Sequence, residues 1–268
     1  MSSAPCPPRI WSLPGGVRVS SRGSGPPTLL LHGIGGGART FSSLAELIAQ
    51  DGYAVHAWDA PGYGGSSDPL HKDIDHVAAV VEVVETLDAG PVHILGTSWG
   101  ATLAIRVAFL RPDLVTSLVL VDGTRGSAVT ALRRRRMLER IPELAELGGA
   151  EFARRRSSRL VSPRSSAATL DAVRATMAEV RLSGYAAAAH MMAATDVSDD
   201  LAHLAAATLV LVGEDDIVTG VDESRLIADG IPGAEFGIIR QAGHSAVVEQ
   251  PAAVWARTRQ FWQQQLAG

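Results

Sequence analysis

Six short runs dense in Val, Ile and Leu, most followed by a helical pattern, constrain this 268-residue chain more than any other feature. They lie at 28–32 (TLLLH), 53–59 (YAVHAWD), 92–96 (VHILG), 117–122 (SLVLVD), 208–213 (TLVLVG) and 234–240 (AEFGIIR). Strands this apolar are buried on both faces, which calls for parallel neighbours joined by helical crossovers. Helical patterns fall between and after them at 41–49, 74–87, 102–110, 221–229 and 251–266. In the second, Ile74, Val77, Val81, Val84 and Leu87 recur at helical spacing, and the last opens on Pro251. Ahead of them, 10–13 and 17–20 flank a Pro-Gly-Gly turn and read as a short hairpin. The expectation is an α/β fold with a mostly parallel, doubly wound sheet.

The alternation stops at Asp122 and resumes at Thr208. The segment 124–205 between them is rich in Ala and Arg and patterned for helices, with breaks expected at Pro142, at Leu147-Gly148-Gly149, at Pro163 and at Gly184. It carries 13 arginines against nine carboxylates, so it is net +4 inside a chain of net −4. A compositional shift of this kind marks an insertion. The expected division is a core of 1–123 and 206–268 with a helical cap of 124–205. Ligands in such sheets bind beyond the carboxyl ends of the strands, which is where such an insertion belongs.

Charge and cysteine content exclude other classes. A net charge of −4 speaks against general affinity for nucleic acid. Cys6 is the only cysteine, which rules out a disulfide scaffold and a cysteine metal site. The start MSSAPCPPRIW lacks the pattern of a signal peptide, and no run reaches the ~18 apolar residues of a membrane span. A soluble, cytoplasmic protein with no membrane partner is expected.

Three motifs carry chemistry. GTSWG (96–100) fits G-x-S-x-G between a strand and a helix, where a sharp turn presents the Ser98 hydroxyl and small neighbours make the turn feasible. The helix that follows points its amino terminus at Ser98, and the Trp99 amide is free to face an oxyanion. LLLHGIGGG (29–37) ends a strand in a glycine run whose Ile34 amide is the natural second oxyanion donor. His32 and Gly35 in this run are candidate substrate contacts, with orientation of the glycine loop as the competing role for His32. Gly33, Gly35 and Ala38 also fit a dinucleotide fingerprint, with Asp59 at the distance of a ribose-binding acid, but that reading explains neither GTSWG nor the late histidine. That histidine is His244, in QAGHSAVVEQP (241–251) between the last strand and the last helix. His56 and His93 fall in strands, and His71, His76, His190 and His203 read as helix or surface positions. A histidine base needs a carboxylate to fix its tautomer, and Asp216, Asp215 and Asp122 each end or follow a strand at the same edge.

Together these pieces resemble the α/β-hydrolase superfamily, over nearly the whole chain outside the insertion. The resemblance implies the order oxyanion loop, serine, acid, histidine, matched here by Ile34, Ser98, Asp216 and His244. It favours Asp216 over Asp215, because the family's acid lies three residues after the glycine that ends its strand. It also implies that DAPGYGGSS (59–67) is a family loop, read here as a tight turn without chemistry, and that 124–205 is the family's helical cap. The implied activity is a serine hydrolase acting on a small-molecule ester or lactone through an acyl-enzyme, with no cofactor and no metal. Within the superfamily the chain resembles 3-oxoadipate enol-lactonase-like and carboxylesterase members. Hydrolases of carbon–carbon bonds in ring-cleavage products are the alternative, from which Thr97, Trp99, Ala101 and Ser245 depart, and a non-catalytic small-molecule receptor is the alternative of another class. Arg133, first of the run 133–136 (RRRR), is the candidate contact for a substrate carboxylate, although most of a run wound around a helix must face solvent. Met191 and Met192 suit an apolar pocket wall or plain cap packing. The oligomeric state is open, a homodimer included.

Overall fold

The apolar runs form the interior of one eight-stranded sheet in a computed structural model that describes residues 7–69 and 74–267. Cys6 with the rest of the amino-terminal stretch, and His71, lie outside the described residues. In chain order the strands are β1 (Arg9–Ser12), β2 (Arg18–Arg22), β3 (Pro27–Leu31), β4 (Ala54–Asp59), β5 (Val92–Thr97), β6 (Val115–Val121), β7 (Ala207–Gly213) and β8 (Glu235–Ile239). In space the order is β1-β2-β4-β3-β5-β6-β7-β8. The first two make the expected hairpin, β2 is antiparallel to β4, and the remaining pairs are parallel. After β3 the chain goes to one side for β4 and returns to the other for β5. The carboxyl ends of β3 and β5 therefore flank a crevice at a topological switch point.

The sheet is covered on both faces, and the period of two is visible in the core. Leu29 and Leu31, Ile94, and Leu118 and Leu120 pack on one side, while Leu30, Leu95, and Val119 and Val121 pack on the other. All nine are buried, each contributing about 1.5–3 kcal/mol. The helices are α1 (Ser42–Gln50), α2 (His76–Leu87), α3 (Trp99–Leu110), α4 (Ala131–Leu138), α5 (Arg140–Arg156), α6 (Ala167–Ala178), α7 (Leu182–Ala194), α8 (Gly220–Gly230), α9 (Ala246–Glu249) and α10 (Pro251–Ala267). The first core holds Val80 and Val83 of α2, Leu103 and Val107 of α3, and Ile227 of α8. The second holds Leu44 and Ile48 of α1 with Val254, Phe261 and Trp262 of α10.

Four helices, α4 to α7, fill the interval between β6 and β7, as the break in alternation implies. Two expected breaks do not occur. Pro142 is the third residue of α5, where the missing N–H has no helical partner to lose. Gly184 sits in the first turn of α7 because a Cβ there would stand 2.4 Å from the Gly62 carbonyl oxygen. Gly148, at φ +68°, does interrupt α5, and Pro163 does separate it from α6. The segment is fastened to loops at the carboxyl edge. Arg181 binds Asp68 and the carbonyls of Gly64 and Ser66, Arg164 and Ser162 bind Asp215, and the Ser162 amide donates to Glu249.

Candidate active site

Ser98 stands between β5 and α3 at φ +54°, ψ −114°, a conformation an L residue adopts only when its surroundings force it. The surroundings are the flanking glycines. A Cβ on Gly96 would meet the Gly100 carbonyl oxygen at 2.3 Å, and one on Gly100 would meet the Leu31 carbonyl oxygen at 2.0 Å. Strand, turn and helix can pack this tightly only without those side chains, which is the physical content of G-x-S-x-G. It also explains why α3 begins at Trp99, three residues earlier than the apolar pattern shows.

Ser98 faces His244, which the loop after β8 carries to the same edge. His244 Nε2 lies 3.0 Å from Ser98 Oγ and its Nδ1 lies 3.0 Å from Asp216 Oδ2. Asp216 follows β7 in a tight turn: its Oδ1 accepts from the amides of Val218 (2.7 Å) and Thr219 (3.2 Å), and its Oδ2 from Thr219 Oγ1 (2.7 Å). Burial raises the Asp216 carboxyl, but His244 and these donors outweigh it and bring it down to about 2. Burial depresses the His244 imidazole, and Asp216, with Asp122 behind it, holds it above its ordinary 6.5 nonetheless. Serine, imidazole and an ionised carboxylate thus stand in one hydrogen-bonded line that can move a proton off the hydroxyl.

The other two carboxylates weighed for this position do different things. Asp215 is held by Ser162 Oγ (2.5 Å) and Arg164 (2.9 Å). Asp122 is fully buried at the end of β6, where Oδ1 accepts from the Gly213 amide (2.8 Å) and Oδ2 from the Ala246 amide (3.1 Å). It ties the strand bearing the Asp216 turn to the loop bearing His244. Burial, then the charge of Asp216, pushes its carboxyl up to about 7. Thr219 joins this set by donating to Asp216 and approaching the Asp122 carbonyl (3.2 Å). Sequence reasoning missed Thr219, although an Asp followed three residues later by Thr at a helix start is a turn-and-cap signal.

The amides of Ile34 and Trp99 donate to no acceptor among the described residues, and both residues line a cavity of about 710 Å³ together with Ser98, His244 and Gly35. The loop carrying Ile34 is braced from below. Tyr63 donates its hydroxyl to the Ile34 carbonyl (3.0 Å), and Asp59 accepts from the amides of Ala38 (2.7 Å) and Gly65 (2.9 Å). The turn 59–67 therefore has a structural use, bracing the loop that carries Ile34, and Asp59 is occupied as a loop clamp.

Three proposed contacts change. His32 does not line the cavity: it is fully buried, with Nδ1 at 2.8 Å from the Gly33 carbonyl and Nε2 accepting from the Ala60 amide at 3.1 Å, so its role is to orient the glycine loop. Met191 also lies off the cavity, its sulfur accepting from the buried Trp99 indole N–H (3.1 Å), whereas Met192 does line it. The Trp99 ring is likewise core, stacked edge-on to His76 at 5.0 Å. His76 opens α2 as a helix residue but is buried, and burial brings it down to about 4. Arg133 reaches the cavity, but its guanidinium is ion-paired with buried Glu223 at 2.9 Å. Tyr185, Met177 and Arg140, which the sequence did not single out, are on the wall.

Comparison with known proteins agrees with this architecture. A 2-hydroxy-6-oxononadienedioate/2-hydroxy-6-oxononatrienedioate hydrolase of Cupriavidus pinatubonensis is 30% identical over 252 residues, covering 88% of this chain and 87% of that protein. Among solved structures, a thermophilic esterase from Thermogutta terrifontis with malate bound superposes with a TM-score of 0.86 at 24% identity, over 98% of this chain and 99% of that one. The enol-lactonase of Burkholderia xenovorans LB400 superposes with a TM-score of 0.82 at 18% identity, over 95% of this chain and 100% of that one. The model of the alpha/beta hydrolase family matches residues 28–257, and with a strained serine turn, a late histidine and this strand order in place, the chain belongs to that family of hydrolases.

Proposed function

We propose that the protein is a serine hydrolase that cleaves a carboxylic ester or an (enol-)lactone of a small molecule. The observation that carries the reading is the line Ser98–His244–Asp216 at 3.0 Å and 3.0 Å, beside two amides without partners. His244 accepts the hydroxyl proton as Ser98 Oγ attacks the acyl carbon, and Asp216 stabilises the imidazolium that forms. The amides of Ile34 and Trp99 take the oxyanion; losing one such donor costs about 2.7–4 kcal/mol. Collapse of the tetrahedral intermediate expels the alcohol or enol, which takes the proton from His244. Water, activated by the same histidine, then attacks the acyl-enzyme and releases the acid. The helices of 124–205 act as the cap that closes this chamber.

Hydrolysis of short p-nitrophenyl esters by the purified protein tests the reading. Ser98→Ala should lower kcat by roughly 10⁴-fold or more, since the residual rate rests on the oxyanion donors and binding alone. Full activity in that variant would end the assignment.

One observation favours a second reading. The 30% identical relative is named for a hydroxy-oxo-dienedioate, a compound with neither ester nor amide, whose hydrolysis must break a carbon–carbon bond. Ser98 and His244 could serve that chemistry as well. A panel of esters, lactones and ring-cleavage dienones separates the two: dienone turnover far above ester turnover would select the second.

A further inference from the structure

We infer that the cavity above Ser98 receives a substrate bearing a free carboxylate away from the scissile bond, and that Arg140 anchors that carboxylate. The inference deepens the ester or lactone reading and rests on it for the identity of the bond cleaved.

The argument starts from the charges on the cavity wall, where six arginines face two glutamates. Three of the arginines are engaged: Arg39 with Glu179, Arg133 with Glu223 and Arg156 with Glu143. Glu139, the second wall glutamate, binds Arg135. Arg136, Arg140 and Arg159 remain, none with a carboxylate partner among the described residues. Arg136 and Arg159 are exposed, so water solvates them.

Arg140 is different. It is half-buried and is the first residue of α5, where the helix dipole disfavours a cation. The glutamates nearest in sequence, Glu139 just before the helix and Glu143 within it, are committed to other arginines. A partly desolvated guanidinium without a counter-ion is costly, and among the described residues the fold offers it the Tyr185 hydroxyl but no carboxylate. It lines the cavity together with the buried Tyr185. Burial raises the neighbouring Tyr185 hydroxyl and Arg140 pulls against that, while at His244 the positive charge of Arg140 opposes the effect of Asp216. A planar guanidinium binds a carboxylate through two parallel N–H donors, and the Tyr185 hydroxyl lies on the same wall as a third. One small molecule can therefore place a carboxylate on Arg140 and an acyl carbon on Ser98. Suitable substrates are half-esters of short dicarboxylic acids and lactones with a carboxylate side chain; hydrolysis of either yields a product with two carboxylates.

The test compares mono-p-nitrophenyl glutarate with its neutral methyl ester. The wild type should prefer the acid in kcat/KM, and Arg140→Gln should cut the acid-to-neutral ratio by about 10- to 100-fold, the strength of a charge-assisted pair. Arg140→Lys, which keeps the charge but not the fork, should restore part of it. Glutarate binding to Ser98→Ala, measured by calorimetry, reads the anchor without catalysis. An unchanged ratio in folded Arg140→Gln overturns the inference. Arg140-dependent glutarate binding in a protein that hydrolyses no ester keeps the anchor and removes the ester reading. Equal turnover of both esters with no glutarate binding removes the anchor and leaves the ester reading standing.

Discussion

The carboxyl edge of the sheet and the helices that lie over it are built on different terms. At the edge, Ser98, Asp216, His244 and Asp122 are held almost wholly by backbone groups: the strained serine turn, the amides of Val218 and Thr219, and the amides of Gly213 and Ala246. In α4 to α7, position is set by apolar packing and by long arginines paired with glutamates at half-exposed sites. Backbone contacts fix geometry to fractions of an ångström and tolerate few sequences. Exposed ion pairs contribute about 0–1 kcal/mol each and can be exchanged. On the proposed reading, the edge sets the reaction and the helices set the charge of what reaches it.

The largest effect that could break this contrast lies within the edge, between its two buried carboxylates. Asp216→Asn keeps the shape but offers His244 an amide, which destroys the tautomer and the charge, and kcat should fall by roughly 10⁴-fold. Asp122→Asn should lower kcat by no more than about tenfold, while a backbone N–H now facing an amide NH₂ costs about 1–3 kcal/mol of stability. Steady-state kinetics with a denaturation curve for each variant would show it. Equal losses of kcat would move the acid to the end of β6.

Much of the edge was legible in the sequence because it is made of local rules. Gly96 is required by the close passage of α3 and Gly100 by that of β3, and the Leu29–Leu31 and Leu118–Val121 runs are required by a sheet buried on both faces. The role of the turn 59–67 was not legible, since the Tyr63 hydroxyl finds the Ile34 carbonyl 29 residues away and no local pattern records that. The helices were less legible still. Their arginine excess was plain, but which guanidinium is spent and which is free depends on Glu223 and Glu143, partners set by tertiary packing. Arg133, at the head of its run, is ion-paired, whereas Arg140 follows in the next helix and has no ion pair among the described residues. Met191 and Met192 are adjacent in sequence, and helical geometry turns one to the Trp99 indole and the other to the cavity.

A pH profile sets the two regions against each other at one group. His244 works as a base only when neutral, and its imidazole is held above 6.5, so kcat/KM should fall toward acid with a midpoint above that value. Asp122 raises His244 and Arg140 lowers it. Asp122→Asn should therefore move the acid limb to lower pH, and Arg140→Gln should move it to higher pH. Shifts of the same sign in both variants would mean that the helices do not act on the edge electrostatically.

The smallest effect is expected where the brace of the oxyanion loop is removed without touching the reacting atoms. Tyr63→Phe deletes the hydroxyl that donates to the Ile34 carbonyl at 3.0 Å and leaves the ring packed 4.8 Å from that of His32. A lost neutral hydrogen bond is worth about 0.5–1.5 kcal/mol. If the bond fixes the Ile34 amide for the oxyanion, that energy should appear in the transition state, as a fall in kcat of about two- to tenfold with KM unchanged. A purely structural bond would instead lower the melting temperature and leave kcat alone, and the turn 59–67 would then belong with the interchangeable contacts of the helices rather than with the edge.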